Sequence, residues 1–404
     1  MKQYDVVIVG AGMAGSTLAL ALHRLCHGKL SIAVIEAHPV NSEQHPGFDA
    51  RAIALSYGTA NILKTLGLWD KFSAITTAIT DIQVSDRGHL GFTDIDAKSQ
   101  GVDALGYVVE LADVGRLYQA ELNNTELNNT ELNHAAIDYF CPAQVKRIER
   151  SVEQVVIELN DGNHLQAKLL VAADGALSQS CKLLDIELNE VDFEQHAVIV
   201  NVSTQLPPNG KAFERFTSSG PLAFLPMSDQ RSSVVWCLPP QQAEQILALD
   251  EQAFTQALQQ QFGWRLGAIT KVGVRASYPL LLRYRESVIS HRFAVVGNAA
   301  QTLHPIAGQG FNLGIRDVMS LAESITQAFE QGQDIGAYTV LSQYRQSREQ
   351  DRNQTMSLTS SLVNIFSNDW LSLRVGRNLA LMAMGNLSCI KQPIVKRTMG
   401  LVER

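Results

Sequence analysis

The stretch Tyr4-Asp-Val-Val-Ile-Val-Gly-Ala-Gly-Met-Ala-Gly15 decides the fold. Tyr4 to Val9 is a short apolar run of the kind that forms a buried strand. Gly10-Ala-Gly-Met-Ala-Gly15 follows at once, and Leu18, Leu22 and Leu25 then recur at helical spacing. A second apolar run, Ser31 to Ile35, ends in Glu36. Strand, GxGxxG, helix, strand and acid in this order form a dinucleotide-binding unit. Gly10 makes the tight turn, Gly12 lets a pyrophosphate approach, and Gly15 lets helix and strand pack closely. Glu36 accepts hydrogen bonds from an adenosine ribose, and its charge disfavours a 2′-phosphate. This site is therefore expected to hold FAD or NAD rather than NADP.

A second glycine-rich run lies almost three hundred residues later. Phe293-Ala-Val-Val-Gly-Asn-Ala-Ala-Gln-Thr-Leu-His-Pro-Ile-Ala-Gly-Gln-Gly-Phe-Asn-Leu-Gly-Ile-Arg-Asp317 reads as strand, turn and helix. Gly308, Gly310 and Gly314 let the backbone come close to something flat and polar. The helix aims free N–H groups and its positive dipole end at the same place. A reduced flavin ring is an anion, so this device favours FAD.

Hydrophobic content of 46% and charged content of 18% are those of a globular enzyme. At 404 residues, one or two domains are expected. The net charge of −7 argues against a general nucleic-acid binder. Five cysteines (Cys26, Cys141, Cys181, Cys237, Cys389) are scattered and lack metal-like spacing. They point to a reducing, cytoplasmic setting without structural disulfides, and no metal site is expected. The first strand begins by residue 4, which leaves no room for a signal peptide, and no apolar run is long enough to span a membrane. Ser56, Ser178 and the ten histidines show no spacing that suggests hydrolysis.

The expected fold class is α/β, a Rossmann-type FAD-binding domain of three-layer ββα form interleaved with a β-sheet substrate domain, plus C-terminal helices. Residues 1–75, 105–185 and 283–340 are assigned to the FAD-binding domain, 76–104 and 186–282 to the substrate domain, and 341–404 to the helical region. Expected strands include Ile82 to Val84, Gly91 to Thr93, Val198 to Val202, Leu222 to Leu225 and Val234 to Leu238. Val155 to Leu159 and Leu165 to Val171 form a hairpin turning at Asp161-Gly162. Asp113 is read as a helix N-cap, and one helix is expected near Asp250 to Phe262. Glu-Leu-Asn-Asn-Thr, repeated from Glu121 and Glu126 and in part from Glu131, matches neither helix nor strand. It reads as a duplicated surface extension.

These motifs, in this order and with Asp174-Gly175 between them, resemble the group A flavoprotein aromatic hydroxylases, the FAD monooxygenases related to p-hydroxybenzoate hydroxylase. Within that group the chain resembles the ubiquinone-biosynthesis hydroxylases. The pieces that carry this are Phe48 to Ser56, Leu66 to Asp70, Val84 to His89, Ala212-Phe-Glu-Arg-Phe216 and Leu222 to Ser228. Gly297 to Pro305 resembles the 2-octaprenyl-6-methoxyphenol hydroxylase branch. The resemblance implies an FAD enzyme that uses O2 and a nicotinamide reductant, NAD(P)H, to hydroxylate a polyprenylated methoxyphenol through a flavin C4a-hydroperoxide, at ring carbon C4. It also implies a possible ubiquinone-biosynthesis protein assembly as partner. The alternatives are another ring position, an FAD oxidoreductase moving hydride without oxygen insertion, and a flavin-bearing scaffold with little turnover.

Carried over by position, the resemblance gives Gly10, Gly12, Gly15 and Glu36 the ADP half of FAD, and Arg51 the phosphates and ribityl chain. Arg116 falls on the flavin side, and Asp174 and Gly175 fall near both FAD and the nicotinamide cofactor. Gly308, Gln309, Gly310, Phe311 and Asn312 present backbone N–H groups to flavin N1 and O2, and Pro305 lies near the ring face. Two positions depart from the family. Asn298 follows Gly297 where an aspartate is usual, which weakens a ribityl contact, since a charged hydrogen bond contributes about 1.5–3 kcal/mol against about 1 for a neutral one. Lys182 stands where an arginine is usual. His304 is the titratable residue beside the ring site, and the two readings of it are a base for the phenol and a loop hydrogen-bonder. The tail from Trp370 is basic and apolar, with Arg374, Arg377, Lys391, Lys396, Arg397 and Arg404 against Glu403 alone. It is read either as a peripheral membrane contact or as a helix packed on the core.

Overall fold

The structure is a computed structural model that describes residues 1–39, 51–88, 91–123, 137–366 and 387–402. Its first sheet has a parallel centre. The strands Phe293–Val295, His164–Ala172, Lys2–Val9, Ile32–Ile35 and Ile137–Phe140 lie side by side in that order. Such a sheet is covered on both faces, so its strands read as continuous apolar runs. Val6, Val7, Ile8 and Leu169 to Val171 are fully buried accordingly. His164–Ala172 changes neighbour along its length. Residues 164–167 pair with the antiparallel strand Val155–Leu159, and residues 170–172 with Phe293–Val295. The hairpin turns at Asp161-Gly162, where Gly162 has φ +85°. Helices Met13–Leu25 and Gln309–Glu330 pack on this sheet and on each other.

The second sheet runs Gln301–Thr302, Ala276–Tyr284, Asn189–Thr204, Arg231–Leu238, Gly220–Pro226, Lys211–Thr217, Asp81–Asp86 and Phe92–Asp96. It is antiparallel except where Lys211–Thr217 pairs with Asp81–Asp86. On one face Val198, Val200, Phe224 and Trp236 pack beneath helices Pro240–Ala248 and Glu251–Phe262. Phe224 stacks on Phe262 with ring centroids 3.7 Å apart. The other face meets a three-stranded sheet of Ala52–Ser56, Gly106–Glu110 and Thr76–Ile79.

Several local expectations are corrected. Helix Leu111–Leu122 starts two residues before Asp113; Glu110 occupies the N-cap, and Asp113 sits in the first turn, where its charge still favours the dipole. The strand expected from Gly91 is Phe92–Asp96, and Val198 to Val202 is part of the much longer Asn189–Thr204. Helix Pro240–Ala248 was not anticipated; it opens on Pro239-Pro240 and presents only a short apolar stripe, Ala243 with the partly buried Ile246 and Leu247. The Glu-Leu-Asn-Asn-Thr repeat was read as non-helical surface sequence, but its first two residues, Glu121 and Leu122, end helix Leu111–Leu122 and are buried; from residue 124 it lies outside the described residues.

Helices Tyr338–Phe366 and Ser388–Thr398 follow among the described residues. The first packs on Gln309–Glu330 through buried charge. Arg348 Nε donates to Asp317 Oδ1 at 2.9 Å, and Arg348 and Arg316 both reach Asp351 Oδ2, at 2.6 and 2.7 Å. Burial alone would raise the Asp351 carboxyl, but the two arginines outweigh it and hold it below its ordinary value. Gln301 donates to Asp317 and accepts from Arg352, so the network also clamps the second glycine-rich loop. The last helix docks through Val395 and Met399 against Ile95, Ala97 and Leu105. Its Arg397 donates to Gln354 at 2.6 Å, so this part of the tail packs on the core. Arg374 and Arg377, with the apolar residues around them, lie outside the described residues.

Arg348→Met leaves Asp317 buried without its ion-pair partner and Asp351 with one arginine fewer, and should cost about 3–5 kcal/mol in urea unfolding. A loss below about 1 kcal/mol would show that the pair behaves like an exposed one.

Candidate active site

Four chain segments leave the carboxyl edge of the parallel strands side by side. They begin at Gly297, Asp174, Gly10 and Glu36, after neighbouring strands of the sheet. Open parallel sheets bind their ligands at this edge. Gly10 adopts φ +98°, and a Cβ on Gly15 would lie 1.8 Å from the Gly10 carbonyl oxygen, so the helix sits directly on the turn. A Cβ on Gly12, in contrast, would meet nothing within 4 Å. The helix Met13–Leu25 that starts there has no side-chain cap. Its first N–H groups and dipole face that open space, as a pyrophosphate requires.

Glu36 is buried at the same edge. It accepts the Ala11 N–H at 2.7 Å and the His38 N–H at 2.8 Å, one on each carboxylate oxygen. It therefore sets the glycine turn from the end of the second strand, where a ribose-binding acid is expected. Asp174 accepts from the Ser180 N–H and hydroxyl, both at 3.0 Å, with Oδ2. Among the described residues its Oδ1 is buried without a partner, which leaves an acceptor to be satisfied by a ligand. Gly175 follows in a left-handed conformation beside open space.

The second loop closes the site from the other side. Gly308 is left-handed, at φ +60°, and is the N-cap of Gln309–Glu330, which also lacks a side-chain cap. A Cβ on Gly310 would meet nothing within 4 Å. Gly314 differs from the expectation of cofactor approach: a Cβ there would lie 3.0 Å from Gly297 Cα, so it serves packing of helix on loop. Asn312 uses its whole amide within the protein. It donates to the carbonyls of Ala54 and Gly308 at 2.9 and 2.6 Å, and accepts from the Ser56 N–H and the Thr59 hydroxyl, both at 2.7 Å. Its side chain thus fixes the first helical turn, leaving its backbone for a ligand. Gln309 is buried and donates to the Thr398 carbonyl. Phe311 packs against the main core. Asn298 is exposed, and among the described residues its amide has no protein partner.

His304 is fully buried. Its Nδ1 accepts the Ile306 N–H at 3.2 Å, which leaves Nε2 to donate to Gln195 Oε1 at 3.1 Å. The Phe193 ring stands edge-on at 5.3 Å. Burial pushes the imidazole down to about 4, so it is neutral at physiological pH. With both nitrogens engaged, this arrangement offers no lone pair to a substrate proton. Pro305, half-buried, opens the turn toward Gly308.

Arg51 lies at the start of Ala52–Ser56 and stacks its guanidinium over Tyr278 of the second sheet at 5.0 Å. Arg116 is exposed on its helix and ion-pairs with Asp113. Lys182 is exposed on the short helix Gln179–Leu183. The sequence reading missed the side-chain roles of Asn312, Gln195 and Tyr278. No local pattern marks them, because each acts on residues far away in the chain. Among the described residues no cluster of side chains could hold a metal ion.

An FAD binding domain family matches residues 3–359. The chain belongs to this family. It is 33% identical to the ubiquinone hydroxylase UbiL of Rhodospirillum rubrum, over all of this chain and 91% of that one. It is 31% identical to the 3-demethoxyubiquinol 3-hydroxylase of Escherichia coli, over 98% of both. The p-nitrophenol 4-monooxygenase PnpA of Pseudomonas putida superposes with a TM-score of 0.78 over the full length of both chains at 20% identity. HpxO of Klebsiella pneumoniae, solved with FAD, gives 0.76 over 98% of both at 17%. The cofactor is FAD. The open backbone at Gly12 and Gly310, the orphan oxygen of Asp174 and two uncapped helix ends suit its pyrophosphate and ring.

Gly12→Ala and Gly310→Ala fill open space. They should leave apoprotein stability within about 0.5 kcal/mol and weaken FAD binding by tenfold or more. Gly15→Ala strikes backbone and should lower both. Thermal unfolding of the apoprotein, with FAD titration, separates the two classes.

Proposed function

We propose that this chain is an FAD-dependent monooxygenase of ubiquinone biosynthesis, inserting one oxygen atom from O2 into a polyprenylated methoxyphenol. The observation that carries this is the setting of the loop from His304 to Gly308. One side of it leads into the uncapped helix at Gly308, and on the other Ile306 packs with Phe216, Val363 and Phe193, facing the second sheet. An apolar aromatic substrate fits between that sheet and the cofactor edge. The relatives named for ubiquinone hydroxylation cover the whole chain, which supports the same reading.

The bound FAD supplies the redox chemistry. The residues of this chain hold and shield it. Gly10, Gly12, Gly15 and Glu36 take the ADP half; Arg51, Asp174, Gly175, Gly297 and Asn298 take the phosphates and ribityl chain. Arg116 is assigned to the flavin side. Backbone N–H groups of Gly308 to Asn312 stabilise negative charge on the ring, and Pro305 faces the hydroxylation site. His304 acts as a positioning residue that locks the loop. The reductant is NAD(P)H and the ring position is C4. The polyprenyl chain favours peripheral contact with a membrane and with a biosynthetic assembly, and no described helix is long and apolar enough to cross a membrane.

Incubation of the FAD-loaded protein with NAD(P)H, labelled O2 and a short-chain 2-polyprenyl-6-methoxyphenol should add one labelled oxygen, located by fragmentation. Peroxide without labelled product would refute this substrate, and oxidation without label would favour hydride transfer. His304→Gln should keep the shape of the pH–rate profile. Because the folded imidazole titrates below its ordinary 6.5, the unfolded chain takes up the proton first, and His304 costs stability as pH falls from about 6.5 to about 4. The variant should therefore lose less stability between pH 7 and pH 5 than the wild type.

A further inference from the structure

The strand Lys211–Thr217 divides its side chains between two environments. Phe213 packs beneath Phe262, and Arg215 Nε donates to the Gln261 carbonyl at 2.9 Å, both on the helix-covered face. Ala212, Glu214 and Phe216 therefore point the other way. Their neighbours agree. Ala212 clusters with Ile79, Val108 and Met227, and Ala54, whose carbonyl Asn312 holds, packs against that cluster. Phe216 clusters with Ile306 of the flavin loop and with Val363. Glu214 lies between these two clusters, on the side of the second sheet that faces the cofactor.

Its nearest neighbours in the row across the sheet are apolar, and the first polar side chain on that row is Thr93, beyond Val84. Val84 pairs on one side and Ala223 on the other, followed by Val235 and Ile199. Among the described residues no donor reaches the Glu214 carboxylate. The residue keeps some accessible surface while lying between two packed clusters. Burial alone pushes the carboxyl up to about 7. The titratable groups on the elements around it do not compensate its charge. Cys237, on Arg231–Leu238, is a buried thiol raised first by burial and then by Glu214 itself. Asp86 ends the neighbouring strand and is an acid. His304 is neutral and faces Gln195. At the far end Glu110 and Arg231 neutralise one another at 3.1 Å.

An isolated carboxyl in an apolar wall is costly unless something brings it a donor. We propose that Glu214 is the group that binds the phenolic hydroxyl of the aromatic substrate and receives its proton during ring hydroxylation. This rests on the phenol-hydroxylase reading above. A phenol ring becomes a stronger nucleophile as its O–H proton leaves. Glu214 accepts that proton while a ring carbon bonds to one atom of O2; the second atom leaves as water, reduced by the two electrons of the reductant. The hydrogen on that ring carbon then departs as a proton. Glu214 returns its own proton to the phenolic oxygen, so the carboxyl ends each turnover as it began. A base that titrates near the working pH is well matched to this task.

The test compares FAD-loaded wild type and Glu214→Gln in two assays, using a short-chain 2-prenyl-6-methoxyphenol and its methyl ether. In binding, the wild type should prefer the free phenol roughly tenfold or more at pH 8, and the preference should fade through a midpoint near pH 7. In Glu214→Gln any remaining preference should be independent of pH. In turnover, the wild-type kcat/KM should fall below about pH 7, and Glu214→Gln should lose that limb and about 10²–10⁴-fold in rate. FAD content and flavin reduction without substrate report on folding. The variant should also unfold at a higher temperature than wild type at pH 8 and not at pH 5: a raised folded carboxyl costs stability as pH rises from its ordinary 4.5 through about 7. Wild-type rate and pH profile in Glu214→Gln would overturn the proposal, as would equal binding of phenol and ether by the wild type at pH 8. Absence of labelled product from the wild type refutes the hydroxylase reading instead, and the binding assay then still decides on Glu214.

Discussion

Two helix amino ends reach one cofactor because three small residues let them. Ala14, Gly297 and Gly314 form a stack between Met13–Leu25 and Gln309–Glu330. A Cβ on Gly297 would lie 2.6 Å from that of Ala14. Any larger residue in the stack forces the helices apart and moves one positive end away from the site. The arrangement has an electrostatic cost, because both ends carry unsatisfied N–H groups and neither has a side-chain cap. An anionic pyrophosphate and an electron-rich ring remove that cost. Cofactor binding and stability are therefore coupled through the same geometry.

The buried ion network serves this constraint from behind. Asp317 and Asp351 sit among Arg316, Arg348 and Arg352, and Gln301 ties them to the loop that begins at Gly297. A hydrophobic interface of similar volume would be as stable or more so. What the hydrogen bonds add is registry. They fix which turn of Tyr338–Phe366 opposes which turn of Gln309–Glu330, and so hold the loop height over the sheet edge. Asn312 does the same from the front, between the helix and the strand Ala52–Ser56.

The parts of this design legible in the sequence are those encoded locally. Gly10 to Gly15, Glu36 and the run from Phe293 to Asp317 state a strand, a turn and a helix within a few residues. Their meaning survives without knowledge of the rest of the chain. The side-chain duties of Asn312, Gln195 and Tyr278 were hidden because each acts at a distance; the Asn312 bond to Ser56 spans 256 residues. Gly314 was visible but misread, since a glycine that admits a ligand and one that admits a helix look alike in sequence. Helix Pro240–Ala248 was missed because its apolar stripe of Ala243, Ile246 and Leu247 is short and follows two prolines.

His304 and Glu214 show how burial alone fails to identify a working group. Desolvation drives both toward neutrality, His304 down to about 4 and Glu214 up to about 7. What separates them is satisfaction. His304 spends both nitrogens on Ile306 and Gln195, so its burial is compensated and its chemistry is used up in holding a loop. Glu214 has no donor in the described protein and keeps its acceptors free toward the cofactor side. A buried titratable group with all partners present is part of the scaffold; one without them is waiting for a ligand to complete it. In this chain the sequence drew attention to the histidine because it stands inside a glycine-rich motif. The physical case passes instead to a carboxylate on a sheet strand, where alternation along Lys211–Thr217 decides which way it points.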